Sequence, residues 1–224
     1  MAYTTVTLAN MIEEARSRVN NQKFYSDDEL TAYINESLCM WQLMTGYWRS
    51  TVTLATEGAK IYYDVSSHML KPLRVEYDGT PLPKDNFFSM DWCKGLWEFA
   101  PAATPDRWFP VALNYLGLYP APGAGHSLRI DGLSHAPVMN APTDFVDINR
   151  WIFDALVDYV QHVCAFKTSG EEFKATSRLY KSFVDAAATQ NVKLKNTSIY
   201  RKTIGENLDG LYHPTNRSGQ KRTR

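Results

Sequence analysis

Residues 26–46 read SDDELTAYINESLCMWQLMTG, and the helix that this stretch predicts is the starting point for interpreting the rest of the chain. Ser26 can accept a hydrogen bond from the backbone of Glu29 while the Glu29 carboxylate reaches back to Ser26, which is the pattern of a capping box. Apolar residues then recur at helical spacing, namely Leu30, Tyr33, Ile34, Leu38, Trp41 and Met44. Gly46 can end the helix in the left-handed conformation. The pattern predicts a helix over residues 26–45 with one buried face.

Proline divides the chain around this helix into three segments. Ten of the eleven prolines lie from Pro72 to Pro142, and the other is Pro214. Proline lacks a backbone N–H and blocks helix interiors, so we expect helices on both flanks and strands with loops between them. Apolar residues at helical spacing on the first flank predict another helix from Leu8 to Val19.

The second flank predicts helix over residues 144–190. A break at Ser169, which begins a second capping box, divides it into an antiparallel helical hairpin with a very short loop. Asp144 and Asp147 are interpreted as caps of the first of these helices. Strand structure anywhere in 148–166 would contradict this interpretation. The apolar face of the first helix is expected to consist of Ile148, Ile152, Ala155, Leu156, Tyr159, Val163 and Phe166.

The middle of the chain, residues 47–142, changes to strand-like patterns. Asp78-Gly79 is a strong hairpin signal. Alternating or β-branched runs predict strands at Thr51–Leu54, Ile61–Val65, Leu73–Tyr77, Val111–Tyr119 and Leu128–Ile130. The short spacing favours a small antiparallel sandwich or barrel. The aromatic segment 87–97 fits neither pattern and is left unassigned.

The fold class expected from these patterns is α+β. Residues 1–46 and 143–195 would form a helical bundle, made of two N-terminal helices and the C-terminal hairpin. Residues 47–142 would form an inserted antiparallel β module that projects from the bundle, and residues 196–224 an extended basic tail. The net charge is zero, but residues 191–224 carry eight Lys and Arg against two acidic residues, or +6, and the remainder therefore carries −6. Such a tail typically binds an acidic surface or a polyanion.

Composition and motifs exclude several classes of protein. Three scattered cysteines do not form a disulfide framework or a zinc cluster, and with a first segment that lacks an apolar signal core they suggest a cytoplasmic protein. The uncharged run 108–128 contains three prolines and is rejected as a membrane span. No zinc-protease, nucleophile-elbow or phosphate-loop motif occurs. We expect no catalysis, no metal and no cofactor.

One polar constellation is a candidate site. Asp154, Asp158 and His162 follow at intervals of four residues and would lie on adjacent turns of one helix. We interpret them as a solvated polar face, with metal binding and a subunit interface as the alternatives. The six tryptophans are similarly interpreted as core or interface residues rather than stacking platforms for sugars or bases.

Three short sequence segments, taken in their order along the chain, resemble those of a known protein family. Residues 25–38 read YSDDELTAYINESL, residues 118–122 read LYPAP, and the helical region from Asp154 to Tyr180 follows. Together with the order of helix pair, proline-rich insert, helical hairpin and basic tail, they are similar to the head-to-tail adaptor (connector) proteins of short-tailed bacteriophages.

The resemblance implies a structural virion protein without catalytic activity. It implies a homo-oligomeric ring, typically of twelve subunits, that docks on the portal, bridges it to a tail nozzle or tube protein and helps retain packaged DNA without sequence specificity. The ring would lie in the neck of the virion, away from any membrane, after assembly in the host cytoplasm. The alternatives are another tail component, such as a nozzle or tube subunit, a β module that binds carbohydrate or nucleic acid, and an enzyme.

The basic tail is the candidate partner-binding segment. Few apolar residues occur in 196–224, so we expect it to be mobile in the free subunit and ordered on assembly. Strand-like composition that could extend a sheet of the portal or a neighbouring subunit occurs at Ser198, Ile199 and Tyr200. Cations for an acidic partner surface, or alternatively for packaged DNA, are Arg201, Lys202, Arg217, Lys221 and Arg222.

Overall fold

The computed structural model describes residues 4–19 and 24–196. Of these residues, 45% are helical and 24% lie in strands, which confirms a mixed helix and strand fold. Contacts divide the chain into a helical unit, made of the residues up to Arg49 together with Leu133–Gln190, and a β unit that comprises Ser50–Gly132. The bundle-with-module arrangement and the boundaries expected from the sequence stay predictions.

The elements are numbered in chain order. The strands are β1 (Thr4–Thr7), β2 (Arg49–Ala55), β3 (Tyr62–Asp64), β4 (Lys71–Tyr77), β5 (Thr80–Pro81), β6 (Arg107–Pro110), β7 (Tyr115–Tyr119), β8 (Ser127–Leu133) and β9 (Phe145–Ile148). The helices are α1 (Leu8–Arg18), α2 (Asp27–Thr45), α3 (Phe87–Lys94), α4 (Arg150–Thr168), α5 (Gly170–Ala175) and α6 (Ser177–Asn196). A 3₁₀ turn, Trp97–Phe99, follows α3.

Helix α2 forms as its local signals predict. The Glu29 N–H donates to Ser26 Oγ at 3.2 Å, and the Ser26 N–H donates to Glu29 Oε2 at 3.0 Å, so both halves of the capping box are present. At the other end Gly46 has φ of 60° and its N–H donates to the Gln42 carbonyl at 2.8 Å. The buried face packs against α4 and α1 and contains Leu30, Ile34, Leu38 and Trp41.

Gly46→Ala is expected to lower the free energy of unfolding by about 1–2 kcal/mol, because a Cβ is strained in the left-handed conformation. The added carbon would also lie 3.1 Å from a methyl carbon of Leu133. Gly170→Ala is the matched control, since its Cβ would meet no atom within 4 Å and its φ is not positive. Urea denaturation of both variants tests this, and equal stabilities would contradict it.

The predicted helix is wrong at its start, residues 144–148. Phe145–Ile148 is strand β9, which pairs antiparallel with β1. Val146 and Ile148 are buried while Phe145 is exposed, so the segment alternates with the period of a strand rather than that of a helix. Ile148 falls inside the range in which strand structure was expected to contradict the helix, and only the part from Arg150 onward is helical.

The two aspartates before α4 do not cap it. Asn149 is the cap, and its side chain accepts from the Ile152 N–H at 2.9 Å. Asp144 instead accepts from two backbone N–H groups upstream, which lowers the pKa of its carboxyl. Asp147 accepts from the Thr5 hydroxyl on β1 at 3.0 Å. Both aspartates therefore stabilise the turn and the strand pair that precede the helix.

The helix break at Ser169 is confirmed. The Ser169 hydroxyl accepts from the Glu172 N–H at 3.1 Å and starts α5. A further break at Thr176, which the sequence did not predict, separates α5 from α6. The helices α4, α5 and α6 thus follow one another with single-residue interruptions.

The β unit contains two sheets, with strand orders β2-β8-β4-β5 and β3-β7-β6. The predicted hairpin is confirmed, because Tyr77 pairs with Thr80 and the intervening Asp78 and Gly79 both have positive φ. Both sheets contribute to one core, which includes Tyr63, Val65, Val75, Tyr77, Trp108, Leu116, Leu118, Leu128 and Ile130.

The predicted strand over residues 111–119 is correct only from Tyr115 onward. Residues 111–119 are not continuous, because β6 and β7 form an antiparallel pair joined by a turn over 111–114. Gly117 on β7 leaves room for the Phe109 ring of β6, since a Cβ at Gly117 would lie 2.2 Å from that ring. The other four predicted strands form within three residues of the expected bounds.

Candidate interaction surface

The unassigned aromatic segment forms a protruding surface on the β unit. Four large apolar side chains between 81% and 91% exposed occur within twelve residues, namely Phe88, Trp92, Leu96 and Phe99. We call these four side chains the aromatic knob. Large exposed apolar side chains concentrated in one short segment often mark an interaction site. Phe88 and Trp92 are one helical turn apart on α3, so they share a face.

The segment that carries the aromatic knob is held in place by buried side chains on its other side. Met90, Trp97 and Phe109 are buried in one cluster, and the Trp97 ring lies 5.2 Å from the Phe109 ring between centroids. The Trp97 indole donates to Asp91 at 2.8 Å. Tyr62 donates to Glu98 at 2.7 Å, and burial together with this carboxylate raises the Tyr62 pKa. The exposed side chains are therefore carried on an ordered base.

The turn between α3 and the 3₁₀ turn adopts an unusual backbone conformation. Gly95 has φ of 37° and Leu96 has φ of 27°, and a positive φ is uncommon for leucine. Strained backbone of this kind concentrates at functional positions. The side chain of Leu96 is 82% exposed in this conformation.

The helical unit carries an apolar groove along α4, α5 and α6, which we call the α4–α6 groove. Its volume is about 540 Å³, and its lining consists of Tyr159, His162, Val163, Phe173, Lys174, Ser177 and Tyr180. The His162 ring stacks on Phe173 with centroids 4.2 Å apart, and its Nδ1 lies 3.0 Å from Thr176 Oγ1. Burial lowers the His162 pKa, so the neutral imidazole is favoured.

The sequence predicted that the polar constellation on α4 forms a solvated face, and this prediction is wrong. Arg18 on α1 donates to Asp154 at 3.0 Å, to Asp158 at 3.1 Å and to Glu14 at 2.8 Å. Burial raises the Asp158 pKa, although Arg18 opposes this shift. His162 lies apart from these carboxylates, in the α4–α6 groove. The two aspartates therefore join α4 to α1.

Within residues 4–19 and 24–196, no three His, Cys, Asp or Glu side chains are grouped so that they could hold a metal ion. In the same part of the chain no helix is both long and apolar enough to cross a bilayer. The partner-binding residues predicted from the sequence, from Ser198 to Arg222, lie outside the described residues.

Sequence reasoning missed the aromatic knob. The available signal was that segment 87–97 is apolar on both faces of a short helix, with Phe87 and Met90 on one side and Phe88 and Trp92 on the other. Apolar side chains on two faces of one helix indicate that more than one face is covered. The structure shows that only one of its faces is buried.

The chain matches, over residues 6–201, the model of the protein family described as SU10 adaptor protein. The chain belongs to this family. The resemblance to phage head-to-tail adaptors is thereby confirmed, and this family member is a structural adaptor protein of a bacteriophage virion. A search of the curated proteins finds no match.

Proposed function

We propose that this SU10 adaptor family member is the subunit of a head-to-tail adaptor ring in the neck of the virion. The proposal rests on the match to the family model over residues 6–201. In the proposal the ring has about twelve copies, assembles in the host cytoplasm and docks on the portal, as the family resemblance implies. On its other side it contacts a tail nozzle or tube protein, and packaged DNA passes through it without sequence-specific contacts.

The described residues are compatible with a structural role. The chain offers a packed helical unit, a protruding apolar surface and a groove, and proteins that assemble into large complexes need such contact surfaces. We propose that the helical unit is the body of the subunit and that the β unit is a contact module. That the chain has no enzymatic activity stays a prediction.

The basic tail is proposed as the portal-binding segment. In this proposal Ser198, Ile199 and Tyr200 add to a sheet edge of the portal or of a neighbouring subunit. The cations that follow, Arg201, Lys202, Arg217, Lys221 and Arg222, meet acidic protein surface. The opposite charges of the tail and the rest of the chain, +6 and −6, support a protein partner. Packaged DNA is the competing partner for the same cations.

Mass photometry of the full chain, mixed with the portal protein of the same phage, tests the proposal. We expect a complex whose mass corresponds to a portal carrying about twelve copies of the chain. A chain that stays monomeric and does not bind the portal would contradict it.

A variant that lacks residues 196–224 tests the role of the tail. We expect a folded subunit that no longer attaches to portal-containing heads. Normal attachment by this variant would refute the tail proposal but not the ring. Attachment with leakage of DNA from the heads would instead assign the cations to DNA.

A further inference from the structure

A ring of more than two identical subunits needs two different contact surfaces on each subunit. In a head-to-tail ring, one surface of each copy meets a second surface of the next, whereas a patch that pairs with itself gives only a dimer. The described residues offer two apolar surfaces of different shape, the protruding aromatic knob and the concave α4–α6 groove. This inference rests on the proposed ring.

The aromatic knob is large enough to form the centre of such a contact. A large aromatic side chain buries about 150–250 Å², so the four exposed side chains together offer roughly 600 Å². A standard interface buries about 800 Å² on each partner. The knob alone could therefore supply most of the area that one partner buries in a standard interface. An area of this size fits a protein partner better than a small ligand.

The α4–α6 groove has the complementary chemistry. Its volume of about 540 Å³ lies in the range of pockets that enclose drug-sized groups, so it has room for aromatic side chains. Tyr180 is 41% exposed and Phe173 is partly exposed, so their rings can contact an inserted side chain, and Phe166 beyond the groove is 71% exposed. Its lining also includes the exposed cation Lys174, which suits an acidic partner.

Carboxylates beside the knob can pair with a cation in the groove lining, although charged residues of the other sign also occur in the same elements, Lys94 on α3 and Glu171 and Glu172 on α5. Asp91 lies beside Trp92 on α3 and is exposed, and Glu98 lies beside Phe99. Lys174 could pair with one of these carboxylates or lie over the face of an inserted indole. Shape and apolar character therefore point to this pairing, and Lys174 offers a cation for one of these carboxylates.

We propose that Phe88 and Trp92 of one copy insert into the α4–α6 groove of the next copy in the ring. The occupant of the groove is thus a second copy of this chain. The portal and the tail protein are the other possible occupants, and they are outcomes of the test below.

Photo-crosslinking locates the partner of the knob. The full chain carries p-benzoylphenylalanine in place of Trp92 and is mixed with an equal amount of ¹⁵N-labelled wild-type chain. The portal protein is added, and the sample is irradiated after the ring has assembled. We expect crosslinked peptides from residues 159–180 that join labelled with unlabelled chains. Crosslinks to the portal, to a tail protein, to the same copy or to other segments would overturn the inference.

Two pairs of variants test the contact from both sides. Ser177→Trp fills the groove, whereas Arg178→Trp places the same side chain at an exposed position of α6 outside the groove lining. Trp92→Ala shortens the knob, whereas Leu113→Ala removes another exposed apolar side chain of the β unit. We expect Ser177→Trp and Trp92→Ala to raise the concentration for half-maximal ring assembly about tenfold or more, with the two controls near wild type.

The monomer's thermal midpoint is measured for all four variants, so that a loss of folding is separated from a loss of contact. Normal assembly by folded Ser177→Trp and Trp92→Ala would overturn the inference. The proposed function is tested separately by the wild-type chain: rings whose crosslinks lie elsewhere refute only this contact, whereas the absence of any ring on the portal refutes both.

Discussion

Trp41→Ala is expected to lower the free energy of unfolding by about 3–5 kcal/mol, a large part of the stability of an ordinary domain. Trp41 on α2 is fully buried, and its ring lies 6.1 Å from Trp151 of α4 and 5.7 Å from Phe183 of α6 between centroids. Removal of the indole leaves a cavity bordered by three helices that can close only in part. Urea denaturation followed by circular dichroism measures the loss, and a loss below about 1 kcal/mol would contradict this packing.

Trp41→Phe is the matched control for this substitution. Among the residues that the structure describes, the Trp41 Nε1 hydrogen finds no acceptor. An unpaired buried donor costs about 1–3 kcal/mol, so phenylalanine removes an unfavourable group together with some favourable contact. We expect Trp41→Phe to cost no more than about 1 kcal/mol. If it is as destabilising as Trp41→Ala, the indole N–H is hydrogen-bonded in the folded protein.

Arg18→Met is expected to destabilise the helical unit by about 1–3 kcal/mol at neutral pH. The guanidinium holds three carboxylates, those of Glu14, Asp154 and Asp158. Its loss removes the cation that pairs with Asp158, whereas Arg150 still pairs with Asp154 at 3.1 Å. The pairs are partly exposed, so the effect is smaller than for a fully buried ion pair. Arg16→Met is the control, because among the described residues Arg16 pairs with the exposed Asp27 on the surface. Its loss is expected to stay below about 0.5 kcal/mol.

The cost of Arg18→Met is expected to depend on pH. Burial raises the folded-state pKa of Asp158, and removal of Arg18 takes away an opposing influence and raises this pKa further. A group with a raised folded pKa binds protons more readily when folded, so its unfavourable charge weakens the protein as pH rises through that pKa. The deficit of the variant should therefore be largest at neutral pH and smaller near pH 4, close to the ordinary aspartate pKa. A deficit that grows toward low pH would contradict the assignment to Asp158, and Arg18→Met in an Asp158→Asn background should lose the effect.

Features that depend on neighbouring residues were predictable from the sequence. The capping box at Ser26, the glycine cap at Gly46 and the Asp78-Gly79 hairpin all form as expected. In each of them the groups that interact are within four residues of one another, so the local sequence contains both partners.

Features that depend on distant pairing were not predictable. Strand β9 pairs with β1, more than 130 residues away along the chain, and its Ile148 fits the apolar spacing of the following helix equally well. The interaction of Asp154 and Asp158 needs Arg18 from α1, which no local pattern on α4 indicates. Tertiary partners, rather than propensity, determined the outcome at these positions.

The exposure of apolar side chains was also outside what periodicity can predict. Phe166 follows the spacing of the buried face of α4 and yet is exposed, and its ring meets Phe173 of α5 at 5.4 Å between centroids. In the aromatic segment, Phe87 is packed and Phe88 is exposed because the β unit supplies Phe109 on one side only. Periodicity identifies apolar faces, but it does not determine which of them a partner subunit covers.

Cryo-electron microscopy of the virion neck shows whether this chain is the adaptor, because it places the chain relative to the portal and the tail. We expect a ring of copies of this chain, with one rim on the portal and the other on a tail protein. A neck whose density between portal and tail belongs to other proteins, with this chain elsewhere in the virion or absent from it, would refute the proposed function.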